Sequence, residues 1–439
     1  MSRSGRRRTY VTGILRRGPT EAGYAFFRAR RRARNIADED GLLTKLDRLI
    51  LDGELDLSAD ERAANARILA AYAQAVELEL HTLQWFMPWF HNPHGGGVRT
   101  ILRVAADLAE RHGVESRFHI YDRTDHGAGD IPIKMGAAFP ALRDASVTTA
   151  RPGDRASTQL PPCGAAVATT WPSAFPLARY RRARAKFFFV QDYEPAFFPA
   201  GAASSVLMEA ARLGLPGIVN TPGLADVYRA HGSPAIAFTP AVDADVYHPP
   251  AQPRPEAPVQ IVFYGRPSTP RNAFALGLAA LAEVKHRFGD AVRIVAAGED
   301  WNPGQFGVAD VLENRGALTD LDAVADLYRA SHVGLALQLT PHPSYQPLEF
   351  AACGVATVAN RNPHTEWLLR DGETALLADA LPSTIAEAIA RLVEDAPLRE
   401  RLVATAREQV LAVRWEDQVE RIHAAMTKRG EAFTSAPVG

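Results

Sequence analysis

From residue 95 onward the chain alternates short apolar runs with helical segments, and it does so twice. Strand-like runs at 116–121, 165–169, 186–191, 217–220 and 236–239 lead to 247–258, where five prolines fall in twelve residues. Proline has no N–H to give a ladder, so this stretch reads as an interdomain linker. The alternation then restarts, with strands at 259–264, 292–297, 333–339 and 355–359. Helical patterns fill 272–288, 321–330 and 348–353, and helices run from 383 to 426. Strands separated by helices predict largely parallel sheets covered on both faces. Two α/β domains in tandem are therefore expected. Ahead of them, Leu42, Leu43, Leu46, Leu49 and Ile50 recur with helical spacing, which predicts a helical preface from 38 to about 84. The expected division is a basic, helical extension at 1–84, an N-terminal domain at 85–246 and the linker at 247–258. A C-terminal domain at 259–405 follows, then a helix and tail at 406–439 able to cross back to the first domain.

Hydrophobic residues make up 47% of the 439 and charged residues 23%, which excludes a disordered chain or a collagen-like repeat. With only Cys163 and Cys353 there is no disulfide framework, as suits a reducing cytoplasm. No run approaches the roughly 18–20 apolar residues of a membrane span, and no secretory leader is expected. The net charge of −1 hides an asymmetry: residues 1–34 hold eleven arginines against one acid, Glu21. Such a block attracts anionic surfaces. Aromatic residues interleave with arginine at 24–34, which favours a lipid headgroup surface. Nucleic acid ranks lower, since no zinc-finger spacing or RNA-binding aromatic signature accompanies the arginines. A cytoplasmic protein, peripheral on the inner face of the plasma membrane, is the expectation.

In open parallel sheets, ligands bind beyond the carboxyl ends of the strands, and three loops there stand out. In the first, Gly265 and Arg266 end a strand, and Arg271 stands before a helix. Gly265 permits a sharp turn, while the two guanidiniums and the helix start suit phosphate oxygens. In the second, Ser344 is a plausible N-cap before Tyr345, Pro347 and Glu349. A carboxylate beside a phosphate site repels the ligand's charge, so Glu349 is expected to accept hydrogen bonds from ribose hydroxyls. The third loop, His94-Gly95-Gly96-Gly97, allows close backbone approach to a ligand. It also spells an esterase oxyanion loop, but that reading needs a Gly-x-Ser-x-Gly elbow, and the sequence has none.

In this order the loops resemble family 4 of the GT-B glycosyltransferases, from about Gly95 to Met426. Gly265-Arg266 with Arg271, Glu349 with the small residues 351–355, and Trp415-Glu416 carry the likeness. Pro341 departs from it, standing eight residues before Glu349 where that family has its first motif glutamate. His342-Pro343-Ser344-Tyr345 and 190–199, which include Asp192 and Glu194, resemble the narrower WsaF-like rhamnosyltransferases.

The resemblance implies a GT-B architecture, two Rossmann-like domains facing across a cleft behind a helical extension. It implies a dTDP-β-L-rhamnose donor, a glycan or lipid-linked saccharide acceptor in bacterial surface polysaccharide, and retention of configuration. Arg266, Arg271, Ser344 and Tyr345 would hold the diphosphate, and Glu349 the ribose. Gly316 and Leu318 would lie at the nucleobase, with Gly265 and Gly298 lining the cleft. Asp192, Glu194 and His94 would orient the acceptor hydroxyl or the reacting sugar. No cofactor or metal is needed where arginines and a helix end supply the positive field. Asp243-Ala244-Asp245 spells a metal motif but sits before the linker and reads as a hinge or loop, and His332 as structural. Three alternatives stay open: a transferase using a UDP- or GDP-sugar, a UDP-sugar epimerase, and an inactive GT-B binding subunit.

Overall fold

The computed structural model describes residues 45–122, 128–150, 156–427 and 433, so the arginine-rich segment at 1–34 lies outside the described residues. Helices α1 (Lys45–Leu51) and α2 (Ala59–Gln74) precede a seven-stranded sheet. Its strands are β1 (Thr82–Met87), β2 (Glu115–Ile120), β3 (Ser146–Thr149), β4 (Cys163–Ala168), β5 (Ala183–Val190), β6 (Gly217–Asn220) and β7 (Ala235–Phe238). Between them run α3 (Gly96–His112), α4 (Ile131–Ala138), α5 (Ala174–Arg179), α6 (Ala202–Ala211) and α7 (Pro222–Ala230). A six-stranded sheet follows the linker, built from β8 (Val259–Gly265), β9 (Val292–Gly298), β10 (Glu313–Asn314), β11 (Val333–Ala336), β12 (Ala356–Asn360) and β13 (Leu376–Ala378). Its helices are α8 (Phe274–Phe288), α9 (Leu321–Arg329), α10 (Gln346–Cys353), α11 (Pro382–Glu394) and α12 (Ala396–Leu411), and α13 (Trp415–Thr427) ends the described helices.

Both sheets are parallel, ordered β3-β2-β1-β4-β5-β6-β7 and β10-β9-β8-β11-β12-β13. In each, the order reverses direction between two neighbouring strands, β1 and β4 in the first sheet, β8 and β11 in the second. The loops leaving those strands diverge to opposite faces and open a crevice, the place where such folds bind ligands.

The run 187–190 shows how the first sheet is stabilised. Successive side chains point to opposite faces of a strand, so Phe187 and Phe189 enter one core and Phe188 and Val190 the other. Each fully buried ring contributes about 1.5–3 kcal/mol. Helix α2 starts with a capping box, the Glu61 N–H donating to Ser58 Oγ at 3.2 Å and the Ser58 N–H to Glu61 Oε2 at 2.9 Å.

The structure differs from the sequence reading in places. A boundary at residue 84 would cut β1, which begins at Thr82 in the middle of the first sheet. Periodicity alone cannot separate a short apolar strand such as Leu-Gln-Trp-Phe-Met from a buried helix. A boundary at 405 would cut α12. Strand β11 stops at Ala336, not 339, and Gln338, just beyond it, lines the crevice. Helix α13 returns to the first domain, burying Val419, Ile422, Ala425 and Met426 in its core. There the Thr239 N–H donates to Gln418 Oε1 at 2.9 Å, and the Tyr72 hydroxyl lies 3.2 Å from the Ala425 and Met426 carbonyls. The linker is fixed to the second domain: Arg254 donates to the carbonyls of Arg329, Gly354 and Cys353 at 2.6–2.8 Å. These bonds close the carboxyl ends of α9 and α10, where unpaired carbonyls attract cations.

Candidate functional site

The two crevices face each other across one cavity of about 470 Å³. The loops after β1, β4 and β5 supply one wall, and those after β8, β9 and β11 the other. Of the residues singled out in the sequence, His94, Gly95, Gly96, Gly97, Asp192, Glu194, Arg266, Arg271, Gly298, Leu318, Ser344, Tyr345 and Glu349 all line it.

Gly265 and Gly316 do not line it, which corrects their expected place in the cleft. Gly265 is buried behind the wall, where an added Cβ would meet the Trp301 ring at 3.3 Å, and its carbonyl accepts from Trp301 Nε1 at 3.0 Å. Close packing, more than turning, requires glycine there. Gly316 has a φ of +69°, and its carbonyl accepts from the Gly298 N–H at 2.9 Å. It shapes the loop that holds Gly298 and does not itself line the cavity.

Arg271 lies over the Phe197 ring at 3.8 Å, with Nε 3.5 Å from Asp192 Oδ2. Burial lowers its pKa from the ordinary value, opposed by the Asp192 charge. Arg266 leans on the Tyr264 ring at 5.7 Å, and its buried Nε has no hydrogen-bond partner among the described residues. Two cations are thus held at the mouths of β8 and α8 by aromatic faces, with Asp192 paired to Arg271 and Glu194 close enough to act on it.

The start of α10 departs from expectation. Its N-cap is Tyr345, not Ser344. Ser344 has a φ of +67°, and its N–H donates to His342 Nδ1 at 2.9 Å, so that N–H is not available to a phosphate. The Tyr345 and Gln346 N–H groups make no hydrogen bond among the described residues and are left at the positive end of the helix, where an anion is favoured. The Tyr345 side chain crosses to the other domain. Its hydroxyl lies 2.6 Å from Thr100 Oγ1 and accepts from Asn220 Nδ2 at 2.8 Å, over Gly96, where an added Cβ would press its ring at 3.2 Å.

The carboxylates are unlike one another. Asp192 accepts from the Tyr193 N–H at 2.8 Å and from Gln338 Nε2 at 3.2 Å, besides pairing with Arg271. Glu194 accepts from the Trp171 N–H at 3.1 Å, and burial pushes its pKa up to about 8, so it is mostly protonated at neutral pH. Glu349 receives hydrogen bonds from the Tyr247 and Tyr328 hydroxyls, and burial raises its pKa to about 7. His94 faces Arg99, its Nδ1 3.4 Å from the guanidinium, and burial followed by that charge lowers its pKa. Asp243 is clasped by Arg99 and by Arg103, the latter at 2.7 Å, and itself lines the cavity.

Sequence reasoning missed the polar layer beneath the cavity. Gln338 Nε2 donates to Thr340 Oγ1 at 2.6 Å, and its Oε1 accepts from Asn272 Nδ2 at 2.8 Å. Pro341 does not line the cavity; His342 does. Gln191 Oε1, Arg266 Nε, Asn272 Oδ1 and His342 Nε2 belong to lining residues and are buried with no partner among the described residues. Buried polar atoms are normally paired, so such a set marks a cavity shaped for a polar ligand.

Residues 259–390 match the family described as WsaF, C-terminal domain. The chain is 42% identical over 352 residues to the O-antigen biosynthesis protein RfbC of Myxococcus xanthus, covering 80% of this chain and 27% of RfbC. It thus spans little more than a quarter of that relative. A phosphatidyl-myo-inositol mannosyltransferase of Mycobacterium tuberculosis is 29% identical over 222 residues, 46% of this chain and 57% of the other. Among solved structures, Anabaena HepE in complex with UDP and glucose matches with a TM-score of 0.60 at 14% identity, over 79% of this chain and 98% of that one. S. aureus TarM, in complex with fondaparinux, alpha-GlcNAc-glycerol and UDP, matches with a TM-score of 0.62 at 9% identity, over 79% and 99%. At these identities the likeness is one of fold. Residues 259–390 thus match the WsaF C-terminal domain family, and the two domains together share the GT-B fold of these solved structures.

Proposed function

We propose that this chain transfers a sugar from a nucleoside-diphosphate sugar, dTDP-β-L-rhamnose, to a glycan or lipid-linked saccharide in bacterial surface polysaccharide synthesis. The observation that carries the proposal is the convergence of Arg266, Arg271 and the α10 start on one interdomain cavity. RfbC, by its name an O-antigen biosynthesis protein, supports the polysaccharide setting, and HepE binds UDP and glucose in the same fold. In this reading the diphosphate lies against the two arginines and the Tyr345 and Gln346 N–H groups, and Glu349 accepts the ribose hydroxyls. Leu318 and Gly298 flank the base. The bond from the anomeric carbon to the diphosphate breaks as the acceptor oxygen bonds the same carbon on the same face. The acceptor proton passes to the departing diphosphate oxygen, so configuration is retained. Charge growing on that leaving group is stabilised by the guanidiniums without a metal, and turnover should survive EDTA. Asp192 orients Arg271, while protonated Glu194 and His94 face the reacting groups. The arginine-rich segment at 1–34 is assigned to an anionic membrane surface at the inner face of the plasma membrane, on its composition.

Thermal shift against dTDP-, UDP- and GDP-sugars tests the donor, because a ligand bound to the native state raises the melting temperature by mass action. The largest rise is expected with dTDP and dTDP-L-rhamnose. An equal rise with GDP-mannose would overturn the donor assignment, and product NMR showing an inverted anomer would overturn retention.

A further inference from the structure

His342 occupies the loop between β11 and α10, lines the cavity and is 3% exposed. The Ser344 N–H donates to its Nδ1 at 2.9 Å, so Nδ1 is an acceptor and, in the neutral ring, the proton resides on Nε2. Burial and the nearby Arg271 charge favour the neutral form, and Asp192 opposes them. Nε2 has no hydrogen-bond partner among the described residues. Leaving such a donor unpaired costs about 1–3 kcal/mol, and the turn that fixes its orientation is itself strained, with Ser344 at a φ of +67°. Strained backbone is being used to hold a proton donor at a ligand cavity.

We propose that His342 Nε2–H donates a hydrogen bond to a hydroxyl of the donor sugar, which makes His342 a specificity-determining residue of this site. The inference rests on the transferase reading and deepens it. The shared chemistry is an oxygen acceptor on the nucleotide sugar, and a sugar hydroxyl is favoured over a phosphate oxygen. Arg266, Arg271 and the two N–H groups of α10 already supply the diphosphate, while the neighbouring Pro341 offers the sugar nothing. A neutral histidine held in this tautomer recognises an acceptor lone pair and leaves an apolar substituent unrecognised, so it distinguishes a hydroxyl from a deoxy position.

Two substitutions separate this role from a structural one. In His342→Asn the amide oxygen can take the place of Nδ1 and keep the Ser344 N–H bonded, while the distal donor is lost. In His342→Gln the longer amide reaches the position of Nε2 and restores a donor. Calorimetric titration with dTDP-L-rhamnose against dTDP, and UDP-glucose against UDP, should show His342→Asn weakening the sugar nucleotide about tenfold. The free nucleotide should bind as before, and His342→Gln should recover most of the loss. Histidine-selective ¹⁵N NMR of the wild-type chain should show the Nε2–H tautomer for His342, its Nε2 resonance moving with the sugar nucleotide but not with the nucleotide. Equal loss for both ligands, or for neither, would overturn the inference, as would an Nδ1–H tautomer. Silence of the wild-type chain toward all four ligands would overturn the transferase reading beneath it.

Discussion

Two pairs of arginines line the same cavity with different ion pairing. Arg99 and Arg103, on α3 of the first domain, share one carboxylate, Asp243, and both lie over the Phe139 ring, at 5.4 and 5.3 Å. Arg266 and Arg271, in the second domain, lie over the Tyr264 and Phe197 rings at 5.7 and 3.8 Å, and the ion pair there is looser, Arg271 Nε to Asp192 Oδ2 at 3.5 Å. Aromatic faces direct all four guanidiniums, so what separates the pairs is the charge already committed: Asp243 clasps the first pair closely, and the second keeps more of its charge available to an anion. On the proposed reading, proximity to a cavity does not tell which cations serve a ligand; their carboxylate partners do.

The largest effect that would break this contrast is at Arg271. Arg271→Ala should lower kcat/KM by about 10²–10³, as expected for removing one group that stabilises a charged leaving group, read by initial rates at saturating acceptor. Arg266→Ala should cost less, about tenfold in dTDP binding by titration, since its guanidinium is only one of several donors to the anion. Arg103→Ala should change dTDP affinity less than about threefold and lower Tm by a few degrees, as for a largely buried ion pair whose carboxylate keeps a second arginine. A loss there matching that of Arg271→Ala would erase the distinction.

The smallest expected effect concerns Glu194 and sharpens the electrostatic side of the comparison. Its folded pKa, about 8, lies above its ordinary 4.5. The neutral acid is favoured by the fold, so its contribution is full below about pH 4.5 and is lost as pH rises through 8. Glu194→Gln should thus melt like wild type near pH 5 and a few degrees higher near pH 9, followed by calorimetry across that range.

What could be read from the sequence was what depends on local pattern. Strands such as 259–264, their glycines and arginines, and the order of the loops follow from alternation and spacing, and most of the second-domain residues so marked line the cavity. What stayed hidden depends on partners far along the chain. Tyr345 reaches Thr100 and Asn220 across the domains, and Asp192 meets Gln338 across the same gap. No local signal marks them. The positive φ of Ser344 was hidden for another reason: serine at a helix start reads as a cap, and only the His342 acceptor shows the N–H turned elsewhere. Gly265 and Gly316 misled in the reverse sense, since glycine beside a crevice serves packing as readily as ligand approach.

The Thr239 to Gln418 hydrogen bond marks the spot where the chain leaves the first domain and where α13 comes home to it. The C-terminal domain is, in connectivity, a long insertion whose two ends emerge side by side. A body tethered by two neighbouring threads can swing about the line through them but resists rolling or drifting away. Opening and shutting of the two domains should accordingly follow one arc, and each return should bring Tyr345 back to the same socket.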